Sequence, residues 1–368
     1  MTRAFASPSV PRPDERNTRK LTQIWQDLLG VEPIEPDQNY FDLGGDSSLA
    51  VQMFSRIETE FHVKLPLVTL YEAPTIEEME RLLKADVPSS GWSPLVPIQP
   101  NGSRPPLFFF HGAGGTVLTY RKLSTCLGAD QPFYGLQCQG LDGQLPLLTT
   151  VEEMAALYVR HIRSVQPHGP YFLGGYCMGG TLAYEAAQQL YAAGEPVALL
   201  ALLDTMNWHK VPLNFWSRSS HSIQQVLFHA ASFLKLNVAD QANFFRDKSE
   251  VLRDRIPVWL GFLKAGFKNT TKGEKSDSLL LGQIWKNNDR ACWNYIPQKY
   301  PGTITDFRPC KQYRVFSKPD LKWEDFAKSD VVVLPVYPAG MLVEPFVKSL
   351  SAALRASMDR AISSTRRL

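Results

Sequence analysis

Residues 171–190 read YFLGGYCMGGTLAYEAAQQL. An apolar run, YFLGGY, leads into a glycine-rich bend and then a helical stretch, so the segment reads as strand, sharp turn and helix. At the bend, Gly175-Tyr-Cys177-Met-Gly179 sets a nucleophilic side chain between two glycines. That Gly-x-nucleophile-x-Gly spacing becomes a chemical hypothesis in a strand–turn–helix context, which is the context here. Small residues on both sides of Cys177 let strand and helix approach, and the helix dipole is expected to lower the thiol pKa from about 8.5. A cysteine stands where a serine is usual. The competing reading of Cys177 is a buried, inert thiol.

Working outward, the same grammar recurs. PLFFF, PFYGLQ, VALLALLD, GTITDF and VVVLPV are short apolar runs separated by helical patterns, which predicts a mostly parallel sheet covered on both faces. VALLALLDTM ends a strand with Asp204, where an acid partner of the nucleophile should stand; a solvated strand-end carboxylate is the plain alternative. FFFHGAGG follows the first clear strand, and its turn is expected to offer the Ala113 N–H to an oxyanion together with the N–H of Met178. Between Lys210 and about 280 lies a long helical pattern with few strand signals, expected to form a lid.

Length and composition bound the rest. The 368 residues suit two or three domains, with 44% hydrophobic and 20% charged residues as in an ordinary globular chain. The N-terminal stretch is polar and proline-bearing, and no run of about 18 apolar residues occurs, so a cytoplasmic protein without a membrane segment is expected. Five cysteines without CxxC spacing indicate neither a zinc site nor a disulfide framework. The net charge of +3 hides an acidic unit: residues 15–84 carry 13 acidic and 7 basic side chains. No basic cluster is interleaved with aromatics, which argues against nucleic-acid binding.

That acidic unit, 15–84, reads as a small helical bundle. Leu21, Ile24, Trp25 and Leu28 fall on one helical face, Leu49, Met53, Ile57 and Phe61 on another, and Thr75 with Glu78 forms a capping box before a third helix. Residues 85–106, rich in Pro, Ser and Gly, read as a linker running into the first strand of a domain spanning 107–368. Within FDLGGDSSLA (41–50), two glycines and Asp46 precede Ser47 at a predicted helix start. A phosphate is favoured there, although Asp46 or Ser47 serving only as a helix cap is the plain alternative.

The LGGDS core in an acidic helical unit resembles the peptidyl carrier domain of nonribosomal peptide synthetases. That resemblance implies a four-helix bundle with 4′-phosphopantetheine on Ser47, and a phosphopantetheinyl transferase as a partner. The region 107–368 resembles the terminal thioesterase domain of such synthetases, on YGLQCQGLDG, YFLGGYCMGG, RACWNYIPQKYPGTITDF and MLVEPFVKSL. The implied fold is an α/β-hydrolase with a helical lid. The implied partners are a peptidyl thioester, upstream synthetase modules and the carrier docking within the chain, which reads as the C-terminal fragment of a larger synthetase.

One position departs from that family. Its histidine stands a few residues before an EPFV-type helix, where this chain has Pro338, and no histidine follows His229. His209, five residues beyond Asp204, is the substitute base considered first, followed by His221 and His229; His111 is expected to anchor its loop instead. A thiol needs a base less than a hydroxyl does, and a weakly assisted water competes poorly with a nucleophile on the substrate itself. Thioesterases with a cysteine nucleophile are a minority of this family, and the ones this chain resembles close four-membered rings, in sulfazecin-type β-lactam and obafluorin-type β-lactone release. The expectation is β-lactam-forming release. β-Lactone formation, hydrolysis or macrocyclisation with a displaced histidine, a laboratory serine replacement at 177 and a non-catalytic carrier-docking module remain open alternatives. Trp208, Trp216, Trp259, Phe262 and Trp285 are the aromatics available to shape a pocket.

Overall fold

The computed structural model describes residues 13–45, 47–63, 65, 69–84, 93–141, 143, 145–207, 274–310, 323–336 and 340–365. The chain divides into two compact units, 1–92 and 93–368.

In the first unit the apolar positions at helical spacing bury together. Helix α1 (Pro13–Leu29) contributes Leu21, Ile24 and Trp25, and α2 (Ser47–Phe61) contributes Leu49, Met53 and Ile57. Short α3 (Thr69–Glu72) adds Leu70, and α4 (Ile76–Lys84) adds Ile76 and Met79. Leu28 and Phe61, the last positions of their stripes, pack on the edge of this core. Trp25 meets Tyr40 edge-on, with ring centroids 5.2 Å apart. Helix α1 stops at Gly30, whose φ of +66° is a left-handed cap and whose N–H donates to Gln26 O at 2.9 Å. The capping box starts α4: Glu78 N–H donates to Thr75 Oγ1, and Thr75 N–H to Glu78 Oε2, both at 3.2 Å.

The second unit is built on a seven-stranded sheet. Six strands coincide with the apolar runs: β2 (Leu107–Phe110), β3 (Phe133–Leu136), β4 (Tyr171–Tyr176), β5 (Val197–Leu203), β6 (Thr303–Pro309) and β7 (Lys328–Leu334). The order is β1-β3-β2-β4-β5-β6-β7, parallel throughout except for β1 (Leu95–Gln99), which runs antiparallel to β3. All four residues of β2 are buried, so side chains on both faces of that strand are covered, as its unbroken apolar run requires. Helices α5 (Arg121–Leu127) and α9 (Val347–Thr365) pack together against the sheet, and α6 (Val151–Val165) packs on α7 (Met178–Ala192). Among the described residues no helix is long and apolar enough to cross a membrane.

One sequence expectation differs from the structure, and another falls mostly outside the described residues. Strand β1 falls inside 85–106, where a linker was expected. Its proline is tolerated because β1 is an edge strand, where a missing N–H costs no ladder bond, and the ladder slips between Pro97 and Gln99. Most of the expected lid, 210–273, lies outside the described residues, and 274–280 are the opening turns of α8 (Glu274–Asn294). That helix continues well past the expected end of the lid at 280 and packs on α7.

The strand order also locates a crevice. From β2 the chain moves to β3 on one side, whereas from β4 it moves to β5 on the other. The loops leaving the carboxyl ends of β2 and β4 therefore diverge, and ligand sites in open α/β sheets form at such a switch point.

Candidate active site

The bend after β4 carries Cys177 at φ 55°, ψ −119°, a conformation that costs a non-glycine residue about 1–3 kcal/mol. The surroundings hold it there. Cys177 N–H donates to Leu203 O at 2.9 Å, tying the bend to the end of β5, and Gly180 N–H donates to Cys177 O at 3.1 Å. A Cβ added to Gly175 would stand 2.1 Å from the Gly179 carbonyl carbon, and one added to Gly179 would stand 2.1 Å from Phe110 O. The two glycines of the motif are therefore required by backbone approach. Cys177 is the N-cap of α7 and partly exposed, with the free amides of the helix start beside it.

Asp204 follows β5 directly, at φ 44°, and its N–H donates to Phe307 O at 2.9 Å. Cys177 and Asp204 thus sit at the carboxyl ends of adjacent strands, each in a left-handed backbone conformation. Pro338, His209, His221, His229, Trp208, Trp216, Trp259 and Phe262 lie outside the described residues.

The turn after β2 meets the elbow from the other side of the crevice. A Cβ on Gly112 would lie 3.7 Å from Tyr176 O, and Gly179 abuts the carbonyls of Phe110 and His111. Gly115, at φ +81°, closes the turn by donating its N–H to Gly112 O at 2.9 Å, and its own carbonyl accepts from Cys138 N–H at 2.8 Å. The expected oxyanion donors, the amides of Ala113 and Met178, belong to these two adjoining turns. Of the aromatics offered for the pocket, Trp285 of α8 lies against the turn, with its ring 3.4 Å from the place of a Gly114 Cβ.

His111 is fully buried, and burial holds its imidazole down at about 4, so it is neutral at ordinary pH. Nδ1 lies 2.7 Å from Gly112 O, and Nε2 lies 2.7 Å from the Tyr158 hydroxyl. Both ring nitrogens are engaged, so His111 anchors its loop, as the sequence suggests. Cys138 and Cys292, which flank the site, are buried. Burial pushes the Cys138 thiol up to about 11, and burial together with Cys177 and Asp289 raises that of Cys292.

Sequence reasoning missed three supporting residues. The Tyr120 hydroxyl donates to Phe110 O at 2.6 Å and accepts from Tyr176 N–H at 3.0 Å, joining the ends of β2 and β4. Tyr158 reads in the sequence as one more apolar position of α6. Asn288 of α8, fully buried, donates Nδ2–H to Ala113 O at 3.0 Å. Its signal was present: a lone amide in the buried stripe of Ile284, Ala291 and Cys292.

In the first unit Ser47 opens α2, a 15-residue helix whose N-terminal dipole suits a phosphate ester. The preceding glycines are needed for shape. Gly44 has φ +93°, and a Cβ on Gly45 would lie 2.2 Å from the Tyr40 ring.

Residues 19–83 match the family described as phosphopantetheine attachment site, and residues 105–242 match the thioesterase domain family. The chain joins a phosphopantetheine attachment domain to a thioesterase domain. The first of these is a domain that carries 4′-phosphopantetheine covalently. The chain is 42% identical over 207 residues to the malpinin synthetase of Mortierella alpina, covering 56% of this chain and 3% of that protein. It is 40% identical over 193 residues to a dimodular nonribosomal peptide synthase of Bacillus subtilis (strain 168), covering 52% of this chain and 8% of that protein. It therefore spans less than a tenth of the length of these relatives. Among solved structures, the NocB thioesterase domain in covalent complex with a fluorophosphonate nocardicin G analogue superposes with a TM-score of 0.51. That match, at 20% identity, covers 72% of this chain and 99% of that one, a likeness of fold. The α/β-hydrolase architecture of the second unit agrees with it.

Proposed function

We propose that this chain is the product-release end of a nonribosomal peptide synthetase, and that it releases a carrier-bound peptide through Cys177 by closing a β-lactam. The observation that carries the reading is a thiol at the strained bend between β4 and α7, in a chain whose place for the usual histidine is Pro338. Ser47 is the attachment residue, with the α2 N-terminus receiving the phosphate, and a phosphopantetheinyl transferase is the enzyme that must modify it. Bound there, the cofactor supplies a thiol on which the peptide is held as a thioester.

Cys177 Sγ bonds to the carbonyl carbon of that thioester, the bond to the departing sulfur breaks, and the Cys177 thiol proton ends on that sulfur. Exchange of one thioester for another keeps the acyl group activated. The amides of Ala113 and Met178 receive the charge that develops on the carbonyl oxygen. For release, an amine on the β-carbon of the last residue bonds to the same carbonyl carbon, the bond to Sγ breaks, and the proton shed by the amine restores the thiol. Asp204, at the neighbouring strand end, orients that amine. His111 is no rival base, because both its nitrogens are engaged and burial, which holds it down at about 4, makes it a weak proton acceptor.

The test is trapping of the acyl-enzyme. A dipeptidyl thioester whose last residue lacks a β-nucleophile is offered to the full chain, and the Cys177-bearing peptide is read by mass spectrometry. The expected result is an adduct on Cys177 that is absent from Cys177→Ala. An unmodified Cys177 with turnover intact overturns the reading, and no adduct with no turnover favours a docking module.

A further inference from the structure

We infer that His111 and Tyr158 form a positioning pair that aims the Ala113 N–H at the reacting carbonyl, with Asn288 fixing the peptide on the other side of Ala113. The inference rests on the acyl-transfer reading above and extends it to residues that hold the turn from behind.

The geometry follows from the planarity of the peptide bond. In the Gly112–Ala113 unit the carbonyl and the Ala113 N–H point in opposite directions, so whatever holds Gly112 O also sets the direction of that N–H. Gly112 O accepts from the His111 ring at Nδ1, 2.7 Å, and from Gly115 N–H, 2.9 Å. Two donors on one carbonyl leave the peptide little freedom to rotate. The next peptide, Ala113–Gly114, is held through Ala113 O by Asn288 Nδ2 at 3.0 Å. Both planes flanking the Ala113 Cα are thereby fixed, one from its own turn and one from α8.

The tautomer of His111 is forced by its partners. A carbonyl can only accept, so Nδ1 must carry the proton. Nε2 is then an acceptor, and the Tyr158 hydroxyl at 2.7 Å must be the donor. Tyr158 is itself fully buried, with its ring edge-on to His111. Were Nε2 to take the proton instead, Nδ1 would face Gly112 O with a lone pair and repel it. The Gly112 carbonyl thus selects the tautomer, and the Tyr158 hydroxyl, from the middle of α6, supplies the donor that the Nε2 lone pair of that tautomer needs. A fixed donor needs no reorganisation when charge develops, and this is what makes such donors effective.

The pair has a signature that general structural support lacks. Attack on a thioester builds an oxyanion, whereas alkylation of the same thiol by iodoacetamide displaces iodide and builds none. Tyr158→Phe keeps the ring and its packing and removes only the hydroxyl. In the full chain, acylation of Cys177 by a dipeptidyl-N-acetylcysteamine thioester should slow about 10- to 100-fold, below the 10²–10³ typical of losing a donor outright. Alkylation of Cys177 by iodoacetamide, read on its own peptide with exposed Cys310 as the internal reference, should stay within about twofold. His111→Asn provides a second variant that loses the ring acceptor for Tyr158, and it should show the same split. Acylation unchanged in both variants, or reduced only in step with alkylation, overturns the inference while leaving the acyl-transfer reading intact. A wild-type chain that is never acylated at Cys177 overturns that reading and the inference together.

Discussion

At the residue scale, the site combines two strained backbones with one neutral, fully engaged histidine. Cys177 and Asp204 occupy positive φ at the ends of neighbouring strands, and each is held by a backbone bond from its N–H across the sheet. His111 contributes stability with a definite pH dependence. Its folded value of about 4 lies below the ordinary 6.5, so the unfolded chain binds the proton more readily between these values. Stability from this group is therefore complete above pH 6.5 and is lost as the pH falls towards 4. Between pH 7.5 and 4.5 the loss should be about 2–3 kcal/mol. Chemical unfolding of the wild type and of His111→Asn at these two pH values checks it: the wild type should lose more stability than the variant. An equal loss in both would remove His111 from the account.

At the element scale, the elbow works because strand β4, helix α7 and the end of β2 approach more closely than side chains allow. Alanine is the better helix former, and in an ordinary helix Gly179→Ala would stabilise by about 1 kcal/mol. Here the added Cβ meets Phe110 O at 2.1 Å, a backbone atom that cannot rotate away. The substitution should instead destabilise the thioesterase domain by about 1–3 kcal/mol or more. Hydrogen exchange of β2 and α7 peptides reads this directly: faster exchange in Gly179→Ala is expected, and unchanged or slower exchange would contradict the packing. The same close approach explains why the glycine-rich motifs were legible before any coordinates. A glycine demanded by close contact is visible in sequence, as Gly175 and Gly179 show against backbone atoms and Gly45 against the Tyr40 ring. The edge strand β1 was not legible, because LVPIQ is short, holds a proline and needs pairing on one side only.

At the scale of the whole molecule, both units follow from burial patterns, and the chemistry from where they leave polar groups. The apolar runs of β2 to β5 became parallel strands because strands buried on both faces have no polar side to alternate with, whereas β7, at the sheet edge, leaves Val331 and Val333 exposed. Three helices of the bundle were legible because apolar residues such as Leu21, Trp25, Met53 and Ile57 recur at helical spacing, whereas short α3 carries no such stripe. The support of the turn after β2 was legible only in part: His111 stands in its own turn and Asn288 is a lone amide in a buried stripe, but no spacing announces that Tyr158 of α6 meets His111. The order of a phosphopantetheine attachment domain and a thioesterase domain in one chain suits the delivery of a thioester to Cys177. On the proposed reading, the product depends on which nucleophile reaches a Cys177 thioester first. The most direct measurement is product analysis after a pantetheine-linked peptide ending in 2,3-diaminopropionate is supplied to the full chain. The expected product is lighter than the linear acid by the mass of one water and carries a four-membered lactam. Linear acid as the sole product would contradict it.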